Sequence, residues 1–170
     1  MKHIRDNIYC GGYGMRTQIE AFEWMEKKFD MRIIKVKMNE PKNYHFDTVF
    51  FPLTPEKVIA CTCQMEKSEI AEIEKVAEII PVPKKLQFAG ATNCVRTSNM
   101  LLVDSSRLSL KKGSAEWETE VAKEDFLQKV AIDNGMSLVP ISMVEMSKSG
   151  SCLSCCVLHM NRAAYSQPIV

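Results

Sequence analysis

Helix-like and strand-like stretches alternate along this chain, and that alternation constrains its fold more strongly than any other feature of the sequence. Apolar residues recur at helical spacing in three stretches, which begin near residues 17, 69 and 123. Strand-like runs surround them, at 32–37, 46–51, 57–61, 79–82, 99–103, 137–141 and 155–159. The pattern predicts an α/β fold of about three strand–strand–helix–strand units, spaced roughly 50 residues apart.

The three helices are predicted from their apolar stripes and their ends. Thr17-Gln18-Ile19-Glu20 has the form of a capping box before the first helix, which continues to Phe29. The third helix fits Lys123–Asn134, with Gly135 as its stop. The second helix is the clearest, and its apolar stripe consists of Ile70, Ile73, Val76 and Ala77.

The connections between these elements predict a single domain. Two β-rich runs stand on either side of the Pro-containing segment 52–56, which indicates a hairpin. The Ser- and Gly-rich segment 147–151 is predicted to be an exposed loop. No linker divides the chain, so we expect residues 1–170 to form one domain.

Charge and composition exclude several classes of protein. The 170 residues include 22 Lys and Arg against 21 Asp and Glu, a net charge of +1. This balance gives no electrostatic case for binding nucleic acid or anionic lipid. The sequence has neither a run of about 20 apolar residues, as a membrane span needs, nor a secretory signal at its start. A cytoplasmic protein is therefore predicted.

Seven cysteines are present, an odd number that argues against a disulfide framework. They are Cys10, Cys61, Cys63, Cys94, Cys152, Cys155 and Cys156. Only the last three have a spacing that zinc sites use, so no metal site is predicted, although a metal-binding protein remains an alternative. Most of the seven are expected to be buried, reduced thiols that pack as small hydrophobic groups.

One histidine stands beside a carboxylate at a predicted strand. His45 and Asp47 would share a face of an extended segment, where they can relay protons and hold a cation. His3 lies at a terminus, and a structural or surface role suits His159 better. A lone His-x-Asp pair is more often structural than catalytic, so His45 needs a second chemical group to support a catalytic role.

Cys155 supplies such a group, because it lies where the Ser- and Gly-rich loop meets the last predicted strand. A thiol at such a junction is accessible to a substrate and is also held in a defined position. A nucleophilic cysteine needs a lowered pKa or a nearby base, and His45 is the base that the sequence places best. The two are 110 positions apart, but such partners meet in space.

Four ordered segments of the chain match a known pattern. They are HFDTVF at 45–50, GYGMRT at 12–17, FAGATNCV at 88–95, and LVPISM at 138–143 with KSGSCLSCC at 148–156. Together they resemble the guanidine-modifying enzymes, a superfamily that includes arginine deiminases, dimethylarginine dimethylaminohydrolases and the glycine and inosamine amidinotransferases, all of which form an αβ-propeller. The first is similar to the His-x-Asp-Thr-x-Phe signature, and the last shares the paired cysteines of the dimethylarginine hydrolases.

The resemblance implies a role for each of four residues. Cys155 matches the nucleophile and His45 the general acid/base. Asp47 matches the carboxylate that holds the substrate guanidinium, and Arg16 matches the arginine that pairs with the substrate α-carboxylate in arginine deiminases. The implied activity is hydrolysis of the guanidino group of arginine or a substituted arginine through a covalent thiouronium, with no metal or organic cofactor. In an amidinotransferase an acceptor amine replaces the water.

The family propeller has five units, and this chain has length for about three. The resemblance therefore predicts a partial αβ-propeller that lacks the N-terminal units and their acidic Glu-Gly-Gly-Asp-like segment. A partial ring exposes strand edges that invite association. We expect either the C-terminal portion of such an enzyme or a short relative that pairs with an N-terminal part or with itself. A catalytically impaired relative, acting as a ligand-binding or protein-binding module, is the main alternative to the hydrolase.

Overall fold

Three copies of one ββαβ module make up most of the chain. The computed structural model describes residues 1–158. The first module contains β1 (Lys2–Arg5), β2 (Ile8–Tyr13), α1 (Ile19–Phe29) and β3 (Arg32–Lys37). The second contains β4 (Phe50–Pro52), β5 (Lys57–Ala60), α2 (Lys67–Glu74) and β6 (Glu78–Pro81). The third contains β7 (Cys94–Thr97), β8 (Met100–Asp104), α3 (Ala115–Asp133) and β9 (Ser137–Ile141).

Each module forms its own three-stranded mixed sheet. The first two strands pair antiparallel as a hairpin, and the helix then returns the chain so that the third strand lies parallel to the second. The strand orders are β1-β2-β3, β4-β5-β6 and β7-β8-β9. These sheets confirm the predicted α/β class and its three ββαβ units.

The described residues group into two compact units. The first, Met1–Phe88, contains two modules, and the second begins at Ala89 and contains the third. Fully buried side chains of the first unit include Cys10, Val36, Phe50, Val58, Ile59 and Ile73. Those of the second include Leu101, Val103, Leu127 and Ala131. The expectation of a single domain over 1–170 stays a prediction. No helix in the described residues is long and apolar enough to cross a membrane.

Several strands follow the predicted pattern closely. β3 and β9 cover the predicted ranges 32–37 and 137–141, and β4 and β5 form the predicted hairpin. Three strands, β1, β2 and β7, were not predicted. β2 contains the adjacent residues Gly11 and Gly12, and glycine is depleted in strands because it has no side chain to pack.

The helix ends differ from prediction in two modules. No Thr17 capping box forms: Gln18 is the N-cap of α1 and makes no side-chain capping bond. A capping box stands instead at α2, between Glu66 and Glu69. That helix ends at Glu74, so the predicted stripe continues into a buried turn at 76–77.

The third helix is longer than predicted and begins at Ala115 rather than Lys123. Ser114 caps it by accepting a hydrogen bond from the backbone N–H of Trp117. The side chains that the first half of α3 buries are charged, so no apolar stripe marks that half in the sequence. Gly135 follows the helix with φ +68°, which confirms the predicted stop.

The segment after β9 differs most from prediction. A short helix α4 (Val144–Ser147) precedes a 3₁₀ turn at Leu153–Cys156, where a strand over 155–159 was predicted. His159 lies outside the described residues.

Candidate active site

His45 and Asp47 belong to a 3₁₀ turn, which corrects the prediction that they share the face of a strand. His45 is extended and precedes the turn Phe46–Thr48, and β4 begins only at Phe50. The Thr48 hydroxyl donates to the His45 carbonyl at 2.6 Å, and the Thr48 N–H donates to the same carbonyl at 3.1 Å. His45 is exposed and Asp47 is half-buried.

A glycine in β2 fixes this turn to the first unit. Phe46 is buried and stacks on Phe50, with ring centroids 5.1 Å apart. A Cβ at Gly12 would lie 2.8 Å from the Phe46 ring and 2.7 Å from Met38 Cγ. Only glycine lets these side chains pack so closely against β2, and their packing holds His45 at the surface.

A second support lies behind the turn. The buried Asn43 side chain donates to the carbonyl of Gln87 at 2.8 Å. The Cys61 thiol lies 3.9 Å from both that carbonyl and the Thr48 carbonyl, and the Cys63 thiol donates to Gln87 Oε1 at 3.1 Å. Gln87 therefore connects the segment before the β4–β5 hairpin with the segment after it.

Arg16 and His45 meet the same aromatic ring. The Arg16 guanidinium lies over the face of Tyr44, 4.8 Å from the ring centroid. The Tyr44 and His45 rings meet edge-on, with centroids 4.4 Å apart. Tyr44 escaped the sequence analysis, because nothing in its spacing indicates that an arginine from the loop after β2 lies on it. The structure thus brings together three side chains with a cationic, an aromatic and a titratable group.

Cys155 belongs to the second unit and is exposed. It lies in the 3₁₀ turn, where its N–H donates to the Cys152 carbonyl at 3.1 Å, and the buried Leu153 anchors the turn. Asn93 immediately precedes β7, and its Oδ1 accepts a hydrogen bond from the Ser154 N–H at 2.8 Å. Its Nδ2 lies 3.9 Å from Cys155 Sγ. Sequence analysis matched this asparagine to a family segment without giving it a role.

The other cysteines divide by burial. All seven are free. Cys10, Cys61 and Cys94 are buried, whereas Cys63, Cys155 and Cys156 are exposed, so burial of most of them was a wrong prediction. Burial raises the pKa of Cys61 to about 12 and that of Cys10 further still, which leaves both as neutral thiols. Residues 1–158 contain no group of three His, Cys, Asp or Glu side chains that could hold a metal ion.

Comparison with known proteins adds evidence at the level of fold. No protein-family model and no curated protein sequence matches the chain. The N-terminal domain of ArgZ, an arginine dihydrolase from cyanobacteria, matches with a TM-score of 0.68 and 18% identity, over 86% of this chain and 48% of that one. AgrE, solved with ornithine and NAD+, matches with a TM-score of 0.70 and 20% identity, over 95% of this chain and 21% of that one. SxtG, an amidinotransferase from Microseira wollei, matches with a TM-score of 0.66 and 17% identity, over 90% of this chain and 42% of that one.

The chain has the fold of the guanidine-modifying enzymes. It spans about half of the ArgZ domain, at 48%, and about a fifth of the AgrE chain, at 21%. The fold predicted from the four sequence segments is thereby confirmed. The roles of four residues stay predictions, namely those of Cys155, His45, Asp47 and Arg16.

Proposed function

We propose that this chain carries the chemistry of a cysteine-dependent hydrolase that acts on the guanidino group of arginine or a substituted arginine. The observation that carries the proposal is Cys155: an exposed thiol on a turn that a buried side chain ties down. A nucleophile needs both access and a fixed position. Cys61 meets only one of these conditions, since it is buried and its raised pKa keeps it protonated.

The structural neighbours support the type of chemistry. ArgZ is an arginine dihydrolase, and it has been solved covalently bound to a reaction intermediate. A variant of ArgZ in which a cysteine is replaced by serine has been solved with substrate bound. A covalent intermediate, and substrate bound to a form in which a cysteine is replaced, both suit thiolate attack. We extend that chemistry to Cys155 as a proposal.

The proposed reaction has two steps. The Cys155 thiolate attacks the central guanidino carbon, the C–N bond to the leaving nitrogen breaks, and His45 protonates that nitrogen so that ammonia or an amine departs. Water, deprotonated by His45, then attacks the thiouronium carbon. The C–S bond breaks, and the products are a ureido compound and the free thiolate.

Arg16 and Asp47 are assigned to substrate binding. A carboxylate holds a guanidinium through two parallel hydrogen bonds, which stops rotation of the planar group. Asp47 is half-buried beside His45 in sequence, and it suits this role. Arg16 suits the α-carboxylate, because its planar group is exposed and lies on the Tyr44 ring.

Selective labelling of Cys155 tests the proposal. The full chain is treated briefly with 2-chloroacetamidine, a guanidinium-like electrophile, or with iodoacetamide, and labelled cysteines are mapped by peptide mass spectrometry. We expect chloroacetamidine to label Cys155 ahead of the adjacent Cys156, which is also exposed, and the preference to vanish in His45→Ala. Equal, slow labelling of both cysteines would contradict the hydrolase and favour a ligand-binding or protein-binding module.

An amidinotransferase is the second candidate, because SxtG matches this fold about as well as ArgZ does. The two activities differ in what attacks the thiouronium. Arginine is incubated with the chain, with and without glycine as an acceptor amine, and products are separated by mass. Citrulline without acceptor supports the hydrolase, whereas ornithine and an amidinated acceptor support the transferase. Cys155→Ala should abolish either product, and Cys156→Ala should preserve it.

A further inference from the structure

Asn93 is a buried polar side chain that touches the turn of Cys155. It is 1% exposed, although it carries two donors and an acceptor that water would otherwise satisfy. Its backbone N–H donates to the Gly90 carbonyl at 3.0 Å, in a tight turn that Gly90 permits with φ +71°. The side chain is thereby fixed at the start of β7, 62 positions from Cys155.

The hydrogen-bond pattern settles which way the Asn93 amide faces. The backbone N–H of Ser154 can only donate, so the atom 2.8 Å from it must be the amide oxygen. The other terminal atom is therefore the nitrogen, and it faces Cys155 Sγ at 3.9 Å. An N–H group is thus directed at the sulfur. A sulfur that carries a negative charge accepts such a bond far better than a neutral thiol does.

The same amide completes the 3₁₀ turn. Cys152 stands at the N-cap position but makes no side-chain capping bond. The first N–H groups of a helical turn have no partner within it, and Ser154 contributes one of them. Asn93 supplies the missing acceptor from a distant segment. One buried side chain therefore both holds the turn and meets the sulfur that the turn presents.

We propose that Asn93 is a positioning residue for Cys155, holding its turn through the Ser154 N–H and donating a hydrogen bond to its thiolate. The inference rests on the proposed function, since it takes Cys155 to be the nucleophile. A donor directed at the thiolate favours the charged form, and a carboxylate in its place disfavours it. Asn93→Asp keeps the acceptor for Ser154 and replaces only the donor, so it separates the two contributions.

The test measures how fast iodoacetamide alkylates Cys155 between pH 6 and pH 10, with Cys156 in the same turn as an internal control. We expect Asn93→Asp to slow Cys155 by about tenfold at pH 7, as a rise of about one unit in thiol pKa requires, and to leave Cys156 unchanged. Asn93→Ala should slow Cys155 and also loosen the turn, so that Cys156 changes as well. An unchanged Cys155 profile in Asn93→Asp, or equal slowing of both cysteines, would overturn the proposal.

A measurement on the unaltered side chain covers the case in which these variants do not fold. The two Nδ2 protons of Asn93 are followed by nuclear magnetic resonance from pH 6 to pH 10. Their resonances should shift as Cys155 ionises, and the shift should be lost in Cys155→Ser. A shift that persists in Cys155→Ser, or no shift in the native protein, contradicts the proposal. Neither readout uses a guanidino compound, so failure to turn over arginine would overturn the proposed function alone.

Discussion

Lys123 on α3 offers the sharpest test of how the third module is stabilised. Its side chain is buried, with 3% of its surface exposed, and its ammonium contacts Glu120 Oε1 at 2.6 Å and the Asp104 carbonyl at 2.8 Å. Glu120 is itself only 8% exposed. We predict that Lys123→Met, which keeps the length and apolar stem of the side chain, severely destabilises this module.

The size of the destabilisation follows from the Glu120 charge, which Lys123→Met leaves buried without its partner. Removing one member of a buried ion pair costs about 3–5 kcal/mol, because the remaining charge stays desolvated and unpaired. Replacing both members with apolar residues of similar size is often close to neutral. Lys123→Met should therefore cost about 3 kcal/mol or more, whereas Lys123→Met combined with Glu120→Leu should recover about 2 kcal/mol of it.

The effect should also depend on pH. Burial raises the pKa of the Asp104 carboxyl, while the positive charge of Lys123 acts in the opposite direction. Lys123→Met removes that charge, so the pKa rises further. An acid whose pKa is raised in the folded state binds a proton on folding, so stability falls as the pH rises from the ordinary value of 3.8 through the folded pKa. The destabilisation should therefore grow as the pH rises above 3.8.

Tryptophan fluorescence can follow this module separately. The chain has two tryptophans, and Trp24→Phe leaves Trp117 of α3 as the sole reporter. Urea unfolding of the four members of the double-mutant cycle then gives the coupling free energy. Two results would refute the reasoning, because either would mean that Lys123 and Glu120 behave as a solvent-exposed ion pair. One is that the changes in the free energy of unfolding are additive, and the other is that Lys123→Met lowers it by less than about 1 kcal/mol.

Two further predictions concern the first unit. Tyr44→Leu removes the ring beneath Arg16, a contact worth about 0.5–1 kcal/mol. If the proposed hydrolase activity holds, the KM for arginine should rise about two- to fivefold, while Tyr44→Phe keeps the native value. Equal KM values for the two variants would contradict this role. Cys61, whose pKa is about 12, should be about one part in ten thousand thiolate at pH 8. Iodoacetamide should therefore label the exposed Cys63 long before Cys61, and comparable rates by fragment-ion mapping would refute the burial argument.

The sequence predicted elements well where burial follows a local period. β3 contains the β-branched residues Ile33, Ile34 and Val36 and was placed correctly. α3 shows the opposite case: only its second half carries an apolar stripe, and its first half buries Glu120, Lys123 and Glu124. Burial of charged residues requires partners from other segments, and a periodicity within one helix cannot reveal them.

Local geometry at the candidate residues depended on packing. His45 and Asp47 were predicted on one face of a strand, but the 3₁₀ turn gives them a different relation. The turn exists because Phe46 packs against Gly12 of β2, a contact between residues far apart in the chain. The β-rich composition of 46–51 correctly indicated the strand β4, but it could not show that the strand begins only at Phe50.

The sequence by itself determined the α/β class, the three ββαβ units and the order of the segments that resemble the guanidine-modifying enzymes. Short-range residue patterns indicate these features, because each helix or strand has to place its apolar residues on one face in order to pack. The tertiary structure alone decided that Tyr44 contacts both Arg16 and His45, and that Asn93 meets the turn of Cys155. Such contacts join residues that no local period relates, and they form only when packed elements bring distant side chains within hydrogen-bond or ring-contact distance.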